Sequence, residues 1–167
     1  MAERRRLEQA GFSLVELLLV VLLLGGLGLI SLRQGASSLA RERVESATRR
    51  IAVGLEQARV AASRSGRPCG LQMGPAGWQA PLASDLPACG GISLVEGEGI
   101  DPGGIRLEHN LPPLVRFSSN GLVLDGGTVR IAAAGSALER CLVMSLPLGV
   151  VRLGRWQQET CQADGGL

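Results

Sequence analysis

At 167 residues the chain has room for one ordinary domain and a short appendage, and a hydrophobic content of 46% fits a folded chain rather than a disordered one. A net charge of +2 is too small to argue for nucleic acid or an anionic surface from the total alone, so any basic site must be local. In chain order, Arg4, Arg5 and Arg6 come first, followed by the nearly unbroken apolar run FSLVELLLVVLLLGGLGLISL from Phe12 to Leu32. As a helix this run is ~31 Å long, which matches the hydrocarbon thickness of a bilayer. The arginines keep its start in the cytoplasm and send the rest of the chain across.

A secretory signal would need an apolar core of about 7–15 residues and a small-residue cleavage site. Ser38-Leu39-Ala40 resembles such a site, but the run is too long and Arg33 intervenes. A plain membrane anchor explains the length and the flanking arginines, yet gives no reason for Glu16 inside the apolar stretch. A carboxylate there costs about 1–3 kcal/mol and marks a function, with a partner for its charge. Gly25, Gly26 and Gly28 weaken the helix by up to about 1 kcal/mol each, or serve as small residues on a packing face.

Gly11-Phe12-Ser13-Leu14-Val15-Glu16, after a short basic leader and before the apolar run, resembles the processing motif of type IV prepilins and type II secretion pseudopilins. The resemblance implies that a membrane prepilin peptidase cuts between Gly11 and Phe12 and N-methylates Phe12. It also implies that Glu16 faces the N-terminal amine of a neighbouring subunit in a filament. That is the charge partner the buried carboxylate requires.

After Leu32 the pattern becomes a soluble amphipathic helix. Leu39, Val44, Ala47, Ile51, Leu55, Ala58 and Ala62 define a buried face at three- and four-residue spacing. Arg41, Glu42, Arg43, Glu45, Arg49, Arg50, Glu56 and Arg59 read as a solvated face with i,i+4 pairing. Gly66 and Pro68 end the helix. A helix from 12 to 64 is ~80 Å long, too long for an ordinary globular domain, so half of it is expected to project from the head.

The remainder reads as short strands separated by turns. Candidates are Leu71–Met73, Ile92–Val95, Ile105–Leu107, Leu114–Phe117, Leu122–Leu124, Thr128–Ala133, Cys141–Leu146 and Val150–Leu153. Alternation is clearest at Val129-Arg130-Ile131, the signature of a half-buried antiparallel strand. One or two antiparallel sheets should pack on the C-terminal half of the helix. Cys69, Cys89, Cys141 and Cys161 contain no CxxC pair of the kind zinc and thioredoxin-like redox sites use. Disulfides are expected. Of three possible connectivities we favour Cys69 with Cys89 and Cys141 with Cys161, since each closes a loop of about 20 residues at roughly 3 kcal/mol.

No GxSxG elbow or P-loop is present, and His109 is the one histidine, in a Pro-flanked stretch, so no catalysis, metal or cofactor is expected. Glu96, Glu98 and Asp101 lie in a Gly-rich stretch without EF-hand spacing and read as a turn.

The later motifs also carry a resemblance. Ala58-Arg59 with Ala62, Trp78, Arg116-Phe117-Ser118-Ser119-Asn120-Gly121, Leu142-Val143-Met144-Ser145 and Gly149-Val150-Val151-Arg152 are similar to the GspH/FimT group of minor pilins and pseudopilins. FimT-like DNA-uptake pilins carry Gly-Arg-x-Arg at the last of these positions. Here Val150 replaces the first Arg, and only Arg152 matches directly. Arg155 and Trp156 could substitute if Gly154 turns them to one side, with arginines meeting phosphates and the indole stacking on bases.

The resemblance thus implies an α+β, type IV pilin-like fold. Residues 1–11 form a cleaved leader, 12–32 a transmembrane and filament-core helix, 33–66 its amphipathic continuation, and 67–167 a β-rich periplasmic head. It implies a single-pass protein of the bacterial inner membrane that joins other pseudopilin subunits in a type II secretion pseudopilus, with secreted proteins as further contacts. A DNA-binding minor pilin of a type IV pilus is the alternative.

Overall fold

A computed structural model describes residues 13–82, 84–90, 104–146 and 149–164, and the side chains of all of these except 28–34. The chain divides into two units, Met1–Ala36 and Ser37–Leu167. One helix, α1 (Leu14–Ser65), begins in the first and ends in the second.

In the first unit the described apolar side chains, from Leu14 to Leu27, lie open. Leu14, Leu18, Leu22 and Leu24 are all more than half exposed, as are most of their apolar neighbours as far as Leu27. A side chain at Gly25 or Gly26 would meet nothing within 4 Å. Among the described residues no helix is long and apolar enough to cross a membrane. Leu14–Leu27 amounts to ~21 Å of helix. The span expected at 12–32 also takes in Phe12, which lies outside the described residues, and side chains beyond residue 27 that are not described.

In the second unit the helix buries one stripe: Ala40, Val44, Ala47, Thr48, Ile51, Leu55, Ala58 and Ala62. Leu39 does not belong to it. It is 57% exposed, because five residues of ~100° each turn it well away from Val44, and Ala40, four residues back, takes the place. Thr48 is fully buried and donates its hydroxyl to the Val44 carbonyl at 2.7 Å, so its polarity is satisfied within the helix. Gly54 lets Trp78 lie against the helix: a Cβ there would come within 2.7 Å of the indole, whose Nε1–H donates to the Ile51 carbonyl at 2.8 Å. The helix stops where Gly66 adopts a left-handed φ of 62°.

Among the described residues eight strands follow: β1 (Cys69–Gly74), β2 (Gly77–Gln79), β3 (Ile105–His109), β4 (Val115–Phe117), β5 (Gly127–Ala133), β6 (Arg140–Ser145), β7 (Val150–Gln157) and β8 (Thr160–Ala163). They form a three-stranded sheet, β2-β1-β4, and a five-stranded sheet, β3-β5-β6-β7-β8. Every pairing is antiparallel. In β5, Val129, Ile131 and Ala133 are buried and alternate with partly exposed neighbours, the strand pattern expected there. Both sheets and the helix share one core, in which Leu55, Leu71, Phe117, Ile131 and Leu142 are completely or almost completely buried.

Three expectations about strands change. Leu122–Leu124 is not a strand, because only Val123 bridges back, to Phe117, while Leu122 and Leu124 are exposed. Gly121 ahead of it holds a φ of 75°, and behind it Asp125 is tied back to Arg116, which leaves room for a single bridge. β2 and β8 appear where none was expected, and β7 continues to Gln157. The candidate Ile92–Val95 lies outside the described residues.

Cys69 is bonded to Cys89 and Cys141 to Cys161. The first bond fixes residues 87–89 beside β1, where Gly70 N–H donates to the Pro87 carbonyl at 2.9 Å. The second joins β6 to β8 across β7, and the β7 residue beneath it is Gly154. A Cβ at Gly154 would collide with the Gln162 carbonyl oxygen and lie 3.1 Å from the Cys161 sulfur, so only glycine permits this approach.

Candidate functional site

Successive residues of a strand face opposite sides, so β7 must divide the three residues singled out near the C-terminus. The register runs unbroken through Gly154, with Arg152 opposite Val143, Arg155 opposite Arg140 and Trp156 opposite Cys161. Arg155 therefore shares the side of Val151 and Leu153, which pack on the core, while Arg152 and Trp156 face away. The arrangement in which Gly154 turns Arg155 and Trp156 to one side is not formed. Arg155 Nε donates to Asp164 at 2.8 Å. Trp156 lies beneath the Arg130 guanidinium, 5.5 Å from the ring centroid, a cation–π contact that covers the face a base would stack on. Arg130 is itself held by Glu139 and Glu108, each at 2.9 Å, and its hydrogen bond to Glu139 above all raises its pKa. Of the three residues, Arg152 alone stands on the outer face with no contact of this kind to a described residue.

A different arginine forms the centre of charge. Arg140 is 4% exposed on the core side of β6, in line with Leu142 and Met144. Its Nε and Nη2 bond Glu45 Oε1 on the helix, and its Nη1 bonds Asp164 Oδ2 at 2.7 Å. Burial works against its charge, and the hydrogen bonds it donates to Glu45 and then to Asp164 outweigh that, so the guanidinium is held above its ordinary pKa. Glu45 is spent on this contact rather than on a helix neighbour, and its Oε2 is buried with no hydrogen bond. The sequence did carry a signal for Arg140, since Arg140, Leu142 and Met144 alternate as one strand face. The partners Glu45 and Asp164, far away in sequence, did not announce themselves.

A second ion pair shapes the loop at Arg116-Phe117-Ser118-Ser119-Asn120-Gly121. Asp125 accepts from the backbone N–H and Nε of Arg116, both at 2.9 Å, and from its Nη2 at 2.8 Å. The bond to Arg116 holds the Asp125 carboxyl below the usual carboxylate range. Gly121 then meets the helix, where a Cβ would be 2.7 Å from the Arg59 carbonyl oxygen and Arg59 Nε donates to the Gly121 carbonyl at 3.3 Å. On the helix surface, Arg59 pairs with Glu56 at i,i+3, not at the i,i+4 spacing expected.

Glu16 sits in the first turn of α1, where the positive end of the helix dipole favours a carboxylate. Gly11, Phe12, Glu96, Glu98 and Asp101 lie outside the described residues. His109 is exposed at the end of β3. An open apolar trough with a cavity volume of about 860 Å³ runs between Val53, Val60 and Ala61 of the helix and Pro68, Pro87 and Ala88. Among the described residues no group of three or more His, Cys, Asp or Glu is placed to hold a metal ion.

A helix stripe buried beneath two antiparallel sheets, with a Gly-tipped loop docked on the helix, is thus the framework of residues 37–164. The family of type II transport proteins GspH matches residues 47–147, well over half of the chain. The chain belongs to this family. No curated protein and no solved structure matches it. Membership gives a type II transport, pseudopilin-like protein that associates with other pseudopilin subunits. The matched span takes in the buried helix stripe from Ala47 to Ala62, Trp78, the Arg116 loop and β6 of this GspH-family chain, while Ala40, Val44 and Glu45 precede it. Glu16 and all of β7 and β8, with Arg152, Arg155 and Trp156, fall outside it.

Proposed function

We propose that this GspH-family protein is a minor pseudopilin built into the periplasmic pseudopilus of a type II secretion system. Residues 1–11 are the leader that a prepilin peptidase removes, cutting between Gly11 and Phe12 and methylating the new N-terminus. Residues 12–32 hold the protein in the inner membrane and then pack in the filament core. Residues 33–66 continue the helix into a periplasmic head formed by 67–167, which meets other subunits and secreted proteins. The role is structural and has no reaction of its own.

The observation that carries this reading is the exposed apolar surface from Leu14 to Leu27 with a single carboxylate, Glu16, in its first turn. A surface of that kind needs other molecules to cover it, lipid first and neighbouring helices later. Glu16 then neutralises the N-terminal amine of an adjacent subunit as each one leaves the membrane. DNA uptake is the weaker reading, because Arg155 is bound to Asp164 and Trp156 is capped by Arg130, which leaves Arg152 alone for a phosphate. Glu16→Ala should leave insertion and leader removal intact, read by membrane fractionation and N-terminal mass spectrometry, and should deplete the protein from sheared filaments at least tenfold, about 1.4 kcal/mol. Normal incorporation of that variant would remove the charge-pairing role.

A further inference from the structure

β8 is a poorly supported strand. It has four residues on the edge of the five-stranded sheet, and none of them is buried. Its turn places two non-glycine residues, Gln158 and Glu159, in the left-handed region at φ 49° and 60°, which works against the hairpin. Burial contributes little to holding it, and among the described residues it is tied by the ladder to β7, by the Thr160 hydroxyl on the Gln157 carbonyl and by the bond from Cys161 to Cys141. Yet β8 delivers Asp164, which lies one residue beyond it, to Arg140 and Arg155.

We propose that the Cys141–Cys161 pair is a redox latch on the Arg140 centre. In the disulfide form β8 lies across Gly154, Asp164 is seated against Arg140, and Arg140 in turn is fixed on Glu45 of the helix. In the dithiol form β8 leaves β7, Asp164 withdraws, and the buried guanidinium keeps one carboxylate instead of two. Closing the latch removes two electrons and two protons from the thiols. They pass by thiol–disulfide exchange to a disulfide-bearing oxidant, which leaves as its dithiol; the step is reversed by a dithiol, which leaves as its disulfide, or by a phosphine with water, which leaves as the phosphine oxide. Cys69–Cys89 has no such connection: it fixes residues 87–89 beside β1 and touches no member of the Arg140 network. The head therefore reaches its final form only in an oxidising compartment. The identity of that compartment rests on the assembly reading, whereas the latch itself does not.

The test is hydrogen–deuterium exchange on the full chain in detergent micelles, oxidised and after phosphine reduction, together with Cys141→Ser/Cys161→Ser and Cys69→Ser/Cys89→Ser chains. Amides of 155–163 should exchange at least about tenfold faster in reduced protein and in the Cys141/Cys161 variant, with β5 and the helix stripe still protected. The unreduced Cys69/Cys89 variant should keep its β8 protection. Asp164→Asn should lower the thermal midpoint of oxidised protein and leave that of reduced protein unchanged. Unaltered β8 protection on reduction, or an equal effect of Asp164→Asn in both forms, would overturn the latch. So would exchange of the entire head as an unfolded chain in the Cys141/Cys161 variant, which would make the bond a global staple. Defective filament incorporation with an intact latch would count against the assembly reading only.

Discussion

One helix carries two kinds of surface. From Leu14 to Leu27 every large apolar side chain is at least 48% exposed, whereas from Ala40 to Ala62 a single stripe is nearly inaccessible to solvent. In the first stretch the apolar residues surround the axis and no described residue covers them. In the second they recur every three or four residues beneath two sheets. The core of the fold therefore resides in residues 37–164, and the proposed function assigns the first stretch to contacts with other molecules. Substitutions on the two stretches should separate these roles. Phe117→Ala, removing a completely buried side chain from the core against the helix, should destabilise the head by about 3–5 kcal/mol in chemical denaturation followed by Trp fluorescence. Leu18→Ala should leave that transition in place. A comparable loss from Leu18→Ala would mean that the head depends on the first stretch for stability.

The same contrast holds among the arginines, and there the sequence was less informative. The helix stripe, the alternation of β5 and the Gly66 stop were legible because each is a local pattern. Leu39 was misjudged because it is apolar and close to the stripe but out of phase with it. Arg140 was missed because its partners come from the helix and from beyond β8, and no local window joins residues 45, 140 and 164. Arg152, Arg155 and Trp156 drew notice as a cluster in sequence, while the strand pleat sets them on two sides. Arg140→Met should cost about 2–3 kcal/mol in the same denaturation assay, below the loss for a fully buried pair because Glu45 and Asp164 keep about a fifth of their side chains exposed. Arg152→Ala, on the open face, should change stability by less than about 0.5 kcal/mol. If Arg152→Ala instead removed salt-sensitive DNA binding from the wild-type protein, the uptake reading would be revived.

The Arg116–Asp125 pair gives a smaller, pH-dependent effect. Arg116 is half exposed, but the Asp125 side chain is 13% exposed and its carboxyl is held below the ordinary range by Arg116. A carboxyl depressed in the folded state contributes stability that is fully present above its unfolded pKa of about 3.9 and is lost as pH falls through the folded value. Thermal midpoints of wild type and Asp125→Asn should therefore differ at neutral pH and converge below about pH 4. A gap that stays constant on acidification would show that the carboxylate charge is not what closes this loop.

A small gain in stability, rather than a loss, is expected at β8, a strand that the sequence did not announce. Two-residue hairpins of this hand are recognised by Asn-Gly or Asp-Gly, and here Gln158-Glu159 occupies both left-handed positions. The pairing of Gln157 with Thr160 leaves a two-residue loop, for which both residues take the left-handed conformation, so the turn follows from the strands and the Cys141–Cys161 bond rather than from its own residues. Glu159→Gly relieves one left-handed side chain and should raise the stability of the oxidised protein by about 0.5–1 kcal/mol, less the entropy glycine adds to the unfolded chain. If β8 is held chiefly by its disulfide, the same substitution should slow amide exchange in β8 more in reduced protein than in oxidised protein, because only there does the turn decide whether the strand stays. A larger effect in oxidised protein would instead make the turn, not the bond, the element that sets Asp164 against Arg140.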